Sequence, residues 1–351
     1  MFDVLKHYPI NFSRADIQKF GTGLINHTWI VHKGQEKFIL QRVNENVFCK
    51  PHDIAHNIDC LSSYFHQHYP EYLFVSPVVA SNGSSLVEYD GGYYRLFPFV
   101  AGSCSVDVVS TPAQAYQAAA QFGKFTRLLN KFDSGKLKTC IPDFHNLSLR
   151  YSHFLAALQN GDAQRIRESS ALIEFLKNQS GIVSMYEQII HDENFRIRVT
   201  HHDTKISNVL FDEAGNGLCV IDLDTVMAGY FISDVGDMMR TFLSPVSEEE
   251  NDFDRIEVRE EFYHAIVTGY FAEMKDVMTP EEKDSFFYAG LFMIYMQAMR
   301  FLTDHLLGDP YYGAKYERHN LVRANNQVVL LQRLLEKQTL LQNKINTSAY
   351  A

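Results

Sequence analysis

Hydrophobic and polar residues are arranged differently in the first hundred residues and in the rest of the chain. The segments FGTGLINHTWIVHKG and KFILQRVN predict two strands around a Lys33-Gly34 turn. YLFVSPVVA and SSLVEYDGGYYRLFPFV predict further strands, and the Asp90-Gly91-Gly92 triplet supplies the positive φ angles of a hairpin turn. PHDIAHNIDCLSSYFHQHY predicts a helix between these strands.

Helical patterns dominate after about residue 101. Thr111 and Pro112 provide a cap and a first-turn proline for the helix AQAYQAAAQFGKFTRLLNKF. Helices are also predicted across 144–192 and, as two long closing helices, over roughly 280–307 and 320–343. Two capping boxes of the S/T-x-x-E type are predicted, Ser247 with Glu250 and Thr279 with Glu282.

This division predicts an α+β fold with two lobes. A small β-rich lobe spans residues 1–100, a connector lies near 97–105, and a larger helical lobe spans 101–351. The length of 351 residues fits about two domains.

Composition narrows the possible partners. The formal net charge is −10 and no run is rich in Lys or Arg, so we expect neither nucleic acid nor an anionic membrane as a partner. Five scattered cysteines without a C-x-x-C pair favour reduced thiols in a cytoplasmic protein. The most apolar run, YAGLFMIYMQAMRF, contains Gln297 and Arg300 and predicts a core helix.

The strongest chemical signal is the segment VTHHDTKISNVLFDEAGNGLCVIDLDT, residues 199–225. Asp203, Lys205 and Asn208 have D-x-K-x-x-N spacing, and Asp222 ends the apolar strand LCVI. A carboxylate on a tight loop can accept a hydroxyl proton, and a nearby ammonium can face a phosphoryl group. An Asn oxygen and a second carboxylate can hold Mg²⁺. These groups suit phosphoryl transfer, where positioning and charge neutralisation do most of the catalysis.

A purely structural explanation covers only part of this segment. DEAGNG (212–217) is a turn between strands, since Asp, Asn and Gly are common turn residues. A D-x-K-x-x-N spacing arises by chance in chains of this length. The combination with the preceding His201 and the following strand and D-L-D is much harder to obtain by chance, so the catalytic interpretation is favoured.

The segment resembles the catalytic region of the aminoglycoside phosphotransferase and choline kinase superfamily, small-molecule kinases with a protein-kinase-like fold. GTGLINHTWIV, FILQRVN, HHDTKISNVL, CVIDLDTVMAG and MRFLTDHLLGD are, more narrowly, similar to N-acetylhexosamine 1-kinases. The resemblance extends from about residue 20 to about 333. It implies ATP and Mg²⁺ as cofactors and phosphorylation of the anomeric hydroxyl of N-acetylglucosamine or N-acetylgalactosamine.

The resemblance also implies roles for individual residues. Asp203 is expected to be the catalytic base, and Lys205 to face the γ-phosphate or the sugar. Asn208 and Asp222 are the expected metal ligands. Asp224 either assists a second metal ion or binds a substrate hydroxyl. Structural roles are expected for two further residues: His201 in bracing the catalytic loop, and Asp234 in bracing that loop or capping a helix.

The nucleotide side departs from the family pattern. The glycine loop Gly21-Thr22-Gly23 precedes a strand, as a phosphate-covering loop should, but its third position is Asn26. Protein kinases carry a lysine on the third strand at the α- and β-phosphates, but FILQRVN offers Gln41 and Arg42 there instead. Only one of these faces the nucleotide in an alternating strand. Arg42 either replaces the lysine's charge at the nucleotide or is a solvated strand residue. Adenine is expected beneath the connector, near Phe99 and Val100.

Two further departures leave alternatives open. Ala228 stands where the family has a proline after Val-Met. Arg300 lies in an apolar helix, so it either pairs with an acid such as Asp304 or points into a cleft, and the resemblance favours a sugar contact. Rival functions are an aminoglycoside, choline or homoserine kinase and a non-catalytic nucleotide-binding regulator. The sequence does not give the oligomeric state.

Overall fold

The N-terminal part of the chain is an antiparallel sheet in a computed structural model that describes residues 2–12, 16–21 and 26–349. Among these residues the strand order is β1-β2-β3-β5-β4. Helix α1 (Pro51–His68) connects β3 to the last hairpin. The strands are β1 (Asp16–Lys19), β2 (His27–Lys33), β3 (Glu36–Arg42), β4 (Val87–Tyr89) and β5 (Gly92–Pro98).

The two faces of this sheet have different environments. Phe38 and Leu40 of β3 pack with Leu96 of β5 in a core that also includes Val4 and Leu5 from the N-terminal 3-10 helix. Side chains alternate along a strand, so the odd-numbered residues of β3 and β5 face the other way. That second face is directed towards the helical part of the chain.

Most sequence expectations for this part are confirmed, with one correction. Gly34, Asp90 and Gly91 have positive φ angles of 63°, 48° and 65°, as the two predicted turns require. The predicted strand over residues 72–80 is wrong. Pro77 has no N–H to donate to a ladder, and only isolated bonds form, such as Val78 N–H to the Leu96 carbonyl at 2.6 Å.

Helices make up most of the rest of the chain, with short strands among them. The helices are α2 (Pro112–Leu128), α3 (Leu147–Asn160), α4 (Ala163–Glu168), α5 (Ser170–Asn178), α6 (Gly181–His191), α7 (Phe231–Phe242), α8 (Glu260–Met274), α9 (Pro280–Asp284), α10 (Phe286–Leu306), α11 (His319–Glu336) and α12 (Gln338–Ala349). The strands are β6 (Cys104–Ser105), β7 (Arg198–Thr200), β8 (Val209–Phe211), β9 (Gly217–Val220) and β10 (Met227–Gly229).

Capping chemistry explains where several of these helices begin. Thr111 caps α2 and Thr279 caps α9, each in a complete capping box. The helix predicted over 280–307 is interrupted at Ser285, and the one over 320–343 at Lys337. The capping box predicted at Ser247 is wrong, because the acids that follow it form ion pairs with arginines of neighbouring elements and no helix starts there.

A large hydrophobic core extends through the helical part. The longest of its helices, α10, is buried along most of its length and packs against α3, α7 and α11. Buried residues of β7, β8 and α7 are part of this core. These elements form part of or contact the polar segment 199–225 that the sequence singled out. The expected α+β arrangement, with a sheet before a helical part, is confirmed; the division at residue 100 stays a prediction.

Candidate active site

A loop after β7 carries the charged residues of the main motif. It runs from His201 into a 3-10 turn, Ile206–Asn208, and then into β8. The Asp234 carboxylate in α7 accepts hydrogen bonds from the backbone N–H groups of His201 at 3.0 Å and His202 at 2.7 Å. Asp234 therefore braces the loop, which is one of the two structural roles expected for it from the sequence.

A second carboxylate and a side chain of the loop complete this support. Thr204 donates from its backbone N–H to Asp237 at 2.9 Å and from its hydroxyl to the Asp234 carbonyl at 2.7 Å. The His201 ring contacts the Ile221 carbonyl at 3.0 Å. These bonds attach the loop both to α7 and to the segment that follows β9.

Asp203 projects from this braced loop between two polar neighbours. Its carboxylate lies 2.9 Å from Lys205 Nζ, and Asn208 Nδ2 donates to it at 3.0 Å. Burial favours the neutral acid, but the charge of Lys205 and these hydrogen bonds outweigh burial and hold the pKa of Asp203 below its ordinary value. Asp203 is therefore ionised at neutral pH.

Asp222 follows β9 and differs from Asp203 in its surroundings. Its backbone is left-handed, with φ of 59°, which directs the side chain into the cleft beside Asn208. The side chain is open to the cleft. Desolvation by the surrounding protein, and then the carboxylates of Asp224 and Asp203, raise its pKa to about 7. A carboxylate in this position can interact with a cation that enters the cleft.

Asp224 is buried and has partners that sequence reasoning missed. Its carboxylate lies 2.5 Å from Arg95 Nη1 and accepts a hydrogen bond from Asn26 Nδ2 at 2.7 Å. Arg95 stands in the predicted strand YYRLFPF, where an arginine among apolar residues was a signal that a charge points into a site. The sequence gives no indication of which acid it meets.

Arg95, Asn208 and Asp222 line a cleft of about 270 Å³ between the sheet and the helical part. Gly21 lies at one side, the connector residues Phe99 and Val100 at another, and Asn208 with Asp222 at the floor. The structure therefore brings most of the predicted nucleotide and metal residues together. Gly23 lies outside the described residues.

Arg42 is not among the residues that the structure brings to this cleft. In β3 the side chain of Gln41 lines the cleft, opposite Arg95 in β5. Arg42 instead pairs with Tyr94, and its guanidinium lies 5.9 Å from the centre of that ring. Because neighbouring residues of a strand alternate in direction, the placement of Arg42 at the nucleotide was incorrect.

Arg300 lies in α10 at a second, smaller cavity of about 200 Å³. Its guanidinium carbon is 5.5 Å from the Phe144 ring centre and 5.7 Å from that of Tyr311. Asp304 is not its partner: that carboxylate accepts the backbone N–H groups of Tyr311 and Tyr312 at 2.8 and 2.9 Å. The interpretation of Arg300 as one half of a salt bridge with Asp304 is therefore wrong.

The family profile described as "APH: Phosphotransferase enzyme family" matches residues 16–279. The chain belongs to this family. The match includes β1, the cleft, the loop with Asp203 and the braces from α7.

Solved structures similar to this phosphotransferase share its fold across nearly the whole chain. An aminoglycoside phosphotransferase from Alicyclobacillus acidocaldarius is 15% identical, with TM-score 0.64 and coverage of 99% of this chain and 96% of that one. A microcompartment-associated aminopropanol kinase is 16% identical, with TM-score 0.63 and coverage of 96% and 97%. Choline kinase from Cryptosporidium parvum is 12% identical, with TM-score 0.54 and coverage of 100% and 98%.

Two negative findings concern the described part of this phosphotransferase. Within it, no helix is both long and apolar enough to cross a bilayer. In the same residues, no group of three or more His, Cys, Asp and Glu side chains is arranged to hold a metal ion.

Proposed function

We propose that the protein is an ATP- and Mg²⁺-dependent kinase that phosphorylates the anomeric hydroxyl of N-acetylhexosamines. The observation that carries the proposal is the set of groups on the cleft floor. Asp203 is held ionised by Lys205, Asn208 lies beside it, and Asp222 has a raised pKa. This is the complement expected for phosphoryl transfer within a phosphotransferase family.

The residues of the floor fit a magnesium ion. Asp222 and the side-chain oxygen of Asn208 would hold it, since Mg²⁺ is commonly bound by one or two carboxylates together with substrate phosphates. When bound, the ion supplies positive charge that neutralises phosphate oxygens. Burial, and then repulsion from Asp224 and Asp203, raise the pKa of Asp222, and a bound cation would stabilise the ionised carboxylate against both effects.

Each remaining group has one task in the proposed reaction. Asp203 accepts the proton that the acceptor hydroxyl loses as it takes the terminal phosphoryl group of ATP. Lys205 keeps Asp203 ionised and faces the transferred group. Gly21, with Gly23, covers the phosphates, while backbone groups near Phe99 and Val100 bind the adenine edge.

A hexosamine acceptor is supported by the surroundings of Arg300. Among the residues that the structure describes, it makes only long hydrogen bonds, 3.4 Å to Gln297 and 3.4 Å to the Tyr311 hydroxyl, and it is surrounded by aromatic rings. Such a guanidinium is available to a polar, uncharged ligand with several hydroxyls. The anomeric hydroxyl is the most acidic on the ring, so a carboxylate base removes its proton most readily.

Cationic acceptors such as choline or an aminoglycoside fit the site less well. They need unpaired acids, and the acidic run near residue 250 is already paired. Glu248 contacts Arg240 and Arg323, and Glu249 lies 2.6 Å from His319 Nε2. A non-catalytic regulator is disfavoured because Asp203, Asn208 and Asp222 are all present.

An acceptor screen tests the proposal. The purified protein with ATP and Mg²⁺ is given N-acetylglucosamine, N-acetylgalactosamine, glucose, choline, homoserine and an aminoglycoside, and ADP release is measured. The two N-acetylhexosamines should support turnover, with glucose poorer. ADP release with choline or the aminoglycoside and not with the sugars contradicts the proposed acceptor.

A further inference from the structure

Arg95 is the only cationic residue that lines the cleft among the residues described there. It projects from β5 on the face that looks into the cleft, directly opposite Gln41 of β3. The third strand therefore presents a neutral amide at the level where Arg95 stands. The cation that lines the cleft stands on the neighbouring strand, β5.

The guanidinium of Arg95 is oriented by three neighbours. Its Nε donates to Gln41 Oε1 at 3.1 Å, its Nη1 contacts Asp224 at 2.5 Å, and its carbon lies 5.2 Å from the Phe97 ring centre. Arginine has five N–H donors, and these contacts use only part of them. Because Arg95 lines the cleft, a ligand bound there can approach its guanidinium.

The position of Arg95 is electrostatically costly unless it serves a ligand or a partner. Its side chain is 4% exposed, and a buried ion pair loses much of its Coulomb energy to desolvation. The negative groups around it outnumber the positive ones, because Asp222 also interacts with Arg95 and shares the same cleft. A polyphosphate entering this cleft would meet these carboxylates, so Arg95 is the group that can offset their repulsion.

We infer that Arg95 binds the phosphates of the nucleotide, taking over from β5 the role that a lysine of the third strand plays in protein kinases. The inference rests on the proposed function, because it assumes that ATP enters this cleft. A guanidinium suits the role, since its planar fork matches two phosphate oxygens. Asp224 and Gln41 hold the fork in place before the nucleotide binds.

The test compares nucleotide with nucleoside binding. Arg95→Gln should weaken ADP binding at least about tenfold, as expected for loss of a charge-assisted contact, and leave adenosine binding within about twofold. Arg95→Lys should show a smaller loss, because it keeps the charge and loses the fork. Calorimetric titration of each ligand in the presence of Mg²⁺ gives both dissociation constants.

A matched control separates this effect from general damage. Arg198→Gln also removes a buried arginine from its carboxylate, Glu282, but at β7, away from the cleft. It should lower the melting temperature and leave the ratio of ADP to adenosine affinity unchanged. Equal losses for ADP and adenosine in Arg95→Gln, or no loss for either, would overturn the inference.

If Arg95→Gln alone does not fold, the double variant that neutralises both Arg95 and Asp224 provides the test. In the Asp224→Asn background no buried acid is left unpaired, and adding Arg95→Gln should again weaken ADP binding at least about tenfold relative to Asp224→Asn alone. An unchanged ADP affinity in the double variant overturns the inference. A parent protein that binds neither ATP nor ADP would instead refute the proposed function.

Discussion

The loop between Thr200 and Val209 and the sheet face with Gln41 and Arg95 meet at one cleft, but the chain builds them in different ways. The loop collects Asp203, Lys205 and Asn208 within six residues. The sheet face is assembled across strands, with Arg95 lying opposite Gln41 although 54 positions separate them. A contiguous motif keeps its spacing when it folds, whereas the chemistry of a sheet face depends on pairing and direction.

The largest expected effect is on the loop. Asp203→Asn should reduce kcat by about 10²–10⁴-fold, because it removes the proton acceptor and keeps the shape, while ATP affinity stays nearly intact. Steady-state kinetics and nucleotide titration measure the two quantities. Asp212→Asn, in the turn of the same segment, is the control and should retain parental kcat. A variant at Asp203 that keeps more than half the activity removes this residue from the mechanism.

The next effect concerns the metal on the cleft floor. Asp222→Ala should lower activity about a hundredfold or more and remove the gain in ATP affinity that Mg²⁺ gives the parent. ATP titrations with Mg²⁺ and with EDTA provide the comparison. Asp254→Ala, at an exposed position in the short 3-10 helix Phe253–Arg255, should keep both. Equal ATP affinity of the parent protein with and without Mg²⁺ would favour a nucleotide-binding regulator.

The residues of the loop could be predicted from the sequence, whereas those of the sheet face could not. The D-x-K-x-x-N spacing located Asp203, Lys205 and Asn208, because these residues share one loop. The face of β3 that meets the cleft could not be deduced, since Gln41 and Arg42 are both polar and only the pairing with β5 decides between them. Asn26 and Arg95 were missed for the same reason: their partner, Asp224, is distant in the chain.

An intermediate effect concerns the support of the loop at acid pH. His202 contacts His145, Nδ1 to Nδ1, at 3.2 Å. Burial, and then the nearby His201, lower the pKa of His202 to about 3. The unfolded chain therefore takes up a proton first as pH falls below about 6.5, and stability is lost in that range at up to about 1.4 kcal/mol per pH unit.

His202→Asn tests this pH dependence. Asparagine tolerates the left-handed backbone of this position, φ 66°, and does not titrate, so stability should fall less steeply between pH 6.5 and 5. Urea unfolding at several pH values gives the slope. The exposed His66→Asn should follow the parent curve. An acid loss as steep in His202→Asn as in the parent would show that other groups cause it.

The smallest expected effect concerns Arg42 in the sheet. Arg42→Gln should change ATP affinity by less than about twofold, since the Arg42 side chain lies over Tyr94 on the face opposite the cleft. Nucleotide titration under the conditions used for Arg95→Gln makes the comparison direct. A tenfold loss at Arg42 with none at Arg95 would reverse the assignment of the two arginines.

The central claim is that Asp203 receives the proton of an anomeric hydroxyl, and the product of the reaction tests it most directly. N-acetylglucosamine is incubated with ATP, Mg²⁺ and the protein, and the phosphorylated sugar is examined by ³¹P NMR. The account predicts an acid-labile product whose phosphorus couples to H1, and no product from the 1-deoxy sugar. A phosphate on the 6-hydroxyl would leave the kinase fold intact and contradict the claim.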